Sequence, residues 1–294
     1  MKKYIILIIL SFFTIKTHAC DACGCAASGG GLGFTSLFDQ KYMGIRYMYQ
    51  SYQTKDGVYN NSPFIQDQFN TIQLWGRIPL VSRWDLLVNI PYQNHGSDKL
   101  LGKQSIKGFG DTSVNIFYNA LRKSNNDFDH IINFGSGVKL PTGTYDAKNN
   151  GSINPSFQLG TGSWDVNVLA DYQMKYKSWG MYHGVSYQAK TKNDQDYQFG
   201  NQLNYQATVY NQLGDSLQII PSVGAMYENY AANKQFDEVL AHTDGYVWMS
   251  KVGIDIKKDQ WSLGVQWFAP LDQNLLNGDV KAKNRWSLAL NYNF

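Results

Sequence analysis

The chain closes on NRWSLALNYNF, residues 284–294, in which Trp286, Leu288, Leu290, Tyr292 and Phe294 alternate with Arg285, Ser287, Ala289, Asn291 and Asn293. A period of two is the mark of a strand with unlike faces. An aromatic last residue on such a strand reads as the closing stave of a transmembrane barrel.

One alternating segment also suits an aqueous sheet, so the weight lies in repetition. Strands are predicted near Lys41 to Tyr52, Asn70 to Pro79, Trp84 to Gln93, Asp111 to Ala120, His130 to Leu140 and Phe157 to Gln173. Six more are predicted near Trp179 to Ala189, Phe199 to Tyr210, Ser216 to Glu228, Tyr246 to Ile256, Trp261 to Ala269 and Asn284 to Phe294. The fold class is therefore all-β, an antiparallel up-and-down barrel of about 12 strands spanning residues 41–294. Short connections (80–83, 175–178, 212–215, 257–260) alternate with long polar ones (53–69, 94–110, 142–156, 229–245, 270–283). That asymmetry places both termini in the periplasm of a Gram-negative outer membrane.

Composition agrees. Mean hydropathy is -0.38 and the only long apolar run, Tyr4 to Phe13, is too short to span as a helix. Aromatics make up 15% of the chain, enough for interfacial rings. Lys2 and Lys3, that apolar run, and Thr17-His18-Ala19 form the three regions of a secretory signal over residues 1–19. Removing them takes away Lys2, Lys3 and Lys16 and brings the formal charge from +3 to zero. No basic field remains, which argues against nucleic acid as a partner.

Residues 20–40 then form a flexible Cys/Gly-rich segment. All three cysteines lie here, Cys20, Cys23 and Cys25, followed by AASGGGLG at 26–33. Three readings stay open. Their thiolates suit a soft ion, Cu(I) or Zn(II); one pair can close a disulfide in an oxidising compartment; or Cys20, at the cleavage site, can carry a lipid.

Aromatics eight residues apart, Trp84 and Tyr92, Trp164 and Tyr172, Trp179 and Tyr187, Trp286 and Phe294, suit two girdles. Eight residues at ~3.4 Å, tilted about 40 degrees, rise roughly 20 Å, near the height of an apolar band. The opposite parity carries charge: Arg46, Arg77, Asp85, Asp111, Lys139, Asp165, Asp171, Glu228, Lys251, Asp255 and Arg285. These are the lumen-facing candidates. Mixed signs fit either a narrow hydrated passage or a wall braced by ion pairs. His95 and His242 fall in predicted external loops and read as solvated.

Lys107-Gly108-Phe109-Gly110-Asp111 followed by Val114 to Tyr118, then Gly137 to Gly143 (GVKLPTG), then Gly160 to Asp165 (GTGSWD), resemble in order three blocks of a known family. It is the family of outer-membrane transporters of the meta-cleavage pathway of phenol degradation. The resemblance implies a barrel that passes small, often hydrophobic molecules. The glycines and Pro141 make sense as architecture, since they turn chains and permit close approach.

The leading functional reading is thus an outer-membrane channel for small, hydrophobic solutes, without a catalytic site. The alternative is a metal-handling barrel using the cysteine cluster; an outer-membrane enzyme is the third. Expected partners are outer-membrane lipid, the solute, and the barrel-assembly machinery through the strand ending in Phe294.

Overall fold

The computed structural model describes residues 41–294 except 58–60, 100, 101, 126, 150, 151, 154 and 156. The signal, the cysteines and the glycine tract lie outside the described residues. Strands run β1 (Tyr42–Lys55), β2 (Phe64–Val81), β3 (Trp84–Lys99), β4 (Gly102–Phe109), β5 (Thr112–Asn125) and β6 (Phe128–Leu140). They continue as β7 (Lys148–Asn149), β8 (Ser152–Ile153), β9 (Asp165–Tyr176), β10 (Trp179–Lys190), β11 (Tyr197–Gln198) and β12 (Gln202–Asn211). The last are β13 (Leu217–Tyr230), β14 (Lys234–Gln235), β15 (Glu238–Val239), β16 (Gly245–Lys258), β17 (Trp261–Leu275) and β18 (Val280–Asn293).

The large sheet runs β2-β1-β18-β17-β16-β13-β12-β10-β9-β6-β5-β3-β4, and a further β2–β3 pairing closes it. β4 and β5 are one stave in two pieces: β3 pairs with β4 through Tyr92↔Phe109 and with β5 through Asn89↔Ser113. Counting them once gives a closed barrel of 12 antiparallel strands. Closure removes every edge, which hydrocarbon requires, because no water there can pair a free N–H or C=O. The β7–β8 hairpin and the small β11-β14-β15 sheet belong to the long connections.

The turns at 82–83, 177–178, 212–216 and 259–260, and the end of the β5–β6 pair at Asn125 and Phe128, all lie on the rim that also carries Tyr42 and Asn293. Three predicted connections are shorter than expected. β1 reaches Lys55 and β2 starts at Phe64, β3 reaches Lys99 and β4 starts at Gly102, and β17 reaches Leu275 and β18 starts at Val280. Beyond the bilayer the outward face has no need of apolar side chains, so alternation fades while the ladder continues. Polarity there imitated a loop. His95 is corrected with it: it sits in β3, buried, with Nε2 3.0 Å from Gln93 Oε1 and its ring 4.6 Å from that of Phe69. In the other direction, the strand expected over Phe157 to Gln173 begins only at Asp165, and Phe157 is a buried residue of the preceding connection.

Candidate functional site: the barrel interior

Strand parity sorts the side chains. Arg46, Arg77, Asp85, Asp111, Lys139, Asp165, Asp171, Glu228, Lys251 and Arg285 are buried; Asp255 is half-buried on the same face. Trp84, Tyr92, Trp164, Trp179, Tyr187, Trp286 and Phe294 are exposed on the outer wall. Tyr172 is half-buried, and its hydroxyl meets His130 Nδ1 at 2.9 Å. The aliphatics between these aromatics, such as Val166, Val168, Leu288 and Leu290, are exposed outward too. An apolar outer wall over a polar inner one is the reverse of a soluble barrel, and its stable surroundings are lipid.

The three glycine-bearing blocks meet at one point. Lys139 Nζ lies 2.7 Å from Asp111 Oδ2 and 2.9 Å from Asp165 Oδ2, and it also donates to Thr161 Oγ1. Asp111 further accepts the backbone N–H of Gly143 at 3.0 Å and that of Thr161 at 2.8 Å. Ser163 Oγ donates to Asp165 at 2.9 Å. The glycines are what let these segments touch. A Cβ on Gly143 would stand 2.8 Å from the Gly160 Cα, and one on Gly160 would stand 2.4 Å from Asp111 Oδ1. Each block thus supplies a charged or polar group and a missing side chain. The knot ties the connection 141–164 to the break between β4 and β5, and Asn193 Nδ2, donating to Thr161 O at 2.9 Å, joins the next connection to it. Beside Asn193, burial pushes the Tyr145 phenol up to about 12.

Two arginines brace the wall through further ion pairs. Arg77 Nε donates to Asp85 Oδ2 at 3.0 Å and its Nη1 lies 3.7 Å from Asp171 Oδ2, while Asn133 donates to Asp171 at 2.7 Å. Arg285 grips Glu228 with two parallel bonds of 2.8 Å each and donates to the Tyr52 hydroxyl at 3.1 Å. The planar guanidinium matches a carboxylate in that two-pronged way. Arg46 sits over Trp75, with its Cζ 4.1 Å from the ring centroid, and donates to Gln73 at 2.8 Å.

The rest of the interior divides into two flanks. Along β5, β9, β10 and β12 amides and hydroxyls predominate, with Asn167 donating to Asn115 at 3.0 Å, Gln188 to Asn167 at 3.1 Å and Asn204 to Ser186 at 3.1 Å, around a small apolar cluster of Leu87, Phe117 and Leu169. Along β1, β13, β16, β17 and β18 it is apolar: Met48, Tyr52, Met226, Val247, Met249 and Phe268 form one buried cluster, which Phe69 of β2 and Phe157 join. Reading the inward parity as the charged parity missed this apolar flank. The signal was present in Met226, Val247 and Met249, which share the inward parity with Glu228 and Lys251. Among the described residues no group of three or more His, Cys, Asp or Glu is arranged to hold a metal ion.

Known proteins share this architecture. The model of the family described as the MetA-pathway of phenol degradation matches residues 53–278. No curated protein sequence matches the chain. Among solved structures, the chain is similar to the COG4313 outer membrane channel from Pseudomonas putida F1, with 16% identity, a TM-score of 0.64, and 90% of this chain and 98% of that one covered. The β domain of the Bordetella autotransporter BrkA follows with 9% identity, a TM-score of 0.48, and 86% and 99% covered.

Proposed function

From the premise that this chain belongs to the MetA-pathway of phenol degradation family, we propose that its outer-membrane barrel is a conduit, rather than an enzyme, for small molecules with an apolar body. The barrel architecture and its place in the outer membrane are those of the channel it resembles. The short turns share a rim with the C-terminal strand, and we assign that rim, with both termini, to the periplasm.

The observation that carries the solute class is the apolar flank inside the wall. A water-filled pore gains nothing from burying Met226, Met249 and Phe268 on its inner face. Such a flank gives an apolar solute a surface in place of water, at about 25 cal/mol per Å² of contact. Methionines add adaptability, since an unbranched thioether reshapes around guests of different outline. The amide flank opposite keeps water and polar substituents bonded, so both parts of an amphipathic molecule find a wall.

The test is uptake of an apolar fluorescent probe, N-phenyl-1-naphthylamine, by cells whose outer membrane excludes it. Expression of the full chain is expected to speed uptake several-fold. The Met226→Asp, Met249→Asp variant, folded as judged by its heat-modifiable mobility, is expected to return uptake to background. Equal rates with and without the protein would sink the proposal.

A further inference from the structure

Six lysine and arginine side chains are buried among the described residues: Arg46, Arg77, Lys139, Lys190, Lys251 and Arg285. Lys251 is set apart from the three that face carboxylates. It is 2% exposed, and among the described residues it makes one hydrogen bond, to Thr208 Oγ1 at 3.3 Å. Among the described residues it has no ion pair. The side chain gets there by crossing Gly224, which registers with Lys251 on one side and Thr208 on the other and offers no Cβ in the way. An ammonium carries three donors, and here one is used.

The surroundings are chemically two-sided. Phe268 is directly opposite Lys251 in register, with its ring centroid 6.0 Å from Nζ. Met249 lies two residues along the same face and pairs with Met226. On the other side lie Thr208 and Ser222, whose Oγ is buried with no hydrogen-bond partner among the described residues. Among the described residues no acidic group lies within ion-pair distance of the ammonium, and Asp255 acts on it only through space. Glu228 is taken by Arg285. Asp255, four residues toward the β16–β17 turn, makes no ion pair among the described residues and leaves Oδ2 buried without a partner there. Burying a charge without a counter-charge is costly. A fixed, half-satisfied ammonium beside an apolar cluster is therefore a place where an incoming anion gains most.

We infer that Lys251, with Thr208, Met226, Met249 and Phe268, forms a station in the lumen for a small apolar monocarboxylic acid. The carboxylate meets the ammonium and the Thr208 hydroxyl; the apolar body lies on the methionines and Phe268. Asp255 repels the carboxylate on the opposite side, which holds the molecule toward the apolar cluster. This rests on the conduit reading above and adds a charge requirement to it.

The experiment is isothermal titration of benzoate into the detergent-folded full chain, a binding readout that needs no transport. Wild type is expected to bind benzoate saturably. Lys251→Met and Lys251→Gln should each weaken it about 10-fold, the worth of one charge-assisted hydrogen bond, while Lys251→Arg stays within about 3-fold. Benzyl alcohol, with the same ring and no charge, should bind wild type and Lys251→Met alike, and acetate should bind much more weakly than benzoate. Two neutral variants guard against one that fails to fold. No saturable benzoate binding by wild type, or unchanged binding by folded Lys251→Met, would overturn the inference. So would acetate binding as well as benzoate, or phenylalanine binding better than 3-phenylpropanoate, which would make Lys251 and Asp255 two poles for a zwitterion. Benzoate binding without probe uptake would sink the conduit alone; uptake without benzoate binding would sink only this station.

Discussion

Lys139 and Lys251 are the same residue, equally buried at 2% exposure on the same inner wall, and they live in opposite company. Lys139 has two carboxylates within 2.9 Å and a hydroxyl besides. Lys251 has one hydroxyl at 3.3 Å. The first environment is complete in charge and therefore architectural: two carboxylates flank the ammonium, and it joins blocks that are distant in sequence. The second is incomplete, and incompleteness on the wall of the proposed conduit is capacity to bind.

Removing the charge while keeping the length tests this most directly. Lys139→Met leaves Asp111 and Asp165 buried without a cation, at a cost of about 3–5 kcal/mol. Urea unfolding of the barrel in lipid vesicles should show that loss, and a change under about 1 kcal/mol would erase the distinction between the two lysines. A third environment sharpens it further. Leu288→Lys puts an ammonium on the outer wall, where Leu288 is 45% exposed to the surroundings and no partner can be supplied by lipid. The expected cost is about 2–4 kcal/mol, and a neutral result would mean that this face does not contact hydrocarbon.

Gly160→Ala attacks the knot without touching a charge. The new Cβ would sit 2.4 Å from Asp111 Oδ1 and 2.6 Å from Gly143 O, so the connection must shift, at about 1–3 kcal/mol. Faster proteolysis within residues 141–164 should accompany it; unaltered cleavage would show that the knot yields freely. The smallest effect is expected at Lys251→Met. Replacing a half-satisfied ammonium with an apolar side chain of similar length should leave stability within about 1 kcal/mol of wild type, or raise it. A large loss there would make Lys251 a brace like Lys139.

Strand parity makes part of this legible from residue order alone. Arg77, Lys139, Asp171 and Arg285 can be assigned to the inner face, because period two needs only a strand and one known outward residue. The outward face of Trp84 and Phe294 follows from the same count. The residues of the Asp111 knot also stand out, as glycine-bearing blocks in order. What they build is not legible. Lys139 and Asp111 are separated by 28 residues and Asp111 and Thr161 by 50, and no local pattern states that three blocks converge. The apolar flank escapes for a different reason: an inward face is expected to be polar, and alternation distinguishes faces without saying which chemistry each must carry.

The sequence by itself determined the barrel, its number of strands and the face on which each side chain lies, since these depend on spacing along one strand. The tertiary structure alone decided who stands opposite whom. Register between strands and the stagger of closure bring Asp111 and Asp165 to Lys139, while they set Gly224, Thr208 and Phe268 around Lys251. Those are relations between strands, and a pattern of period two is the same for every register that preserves its parity.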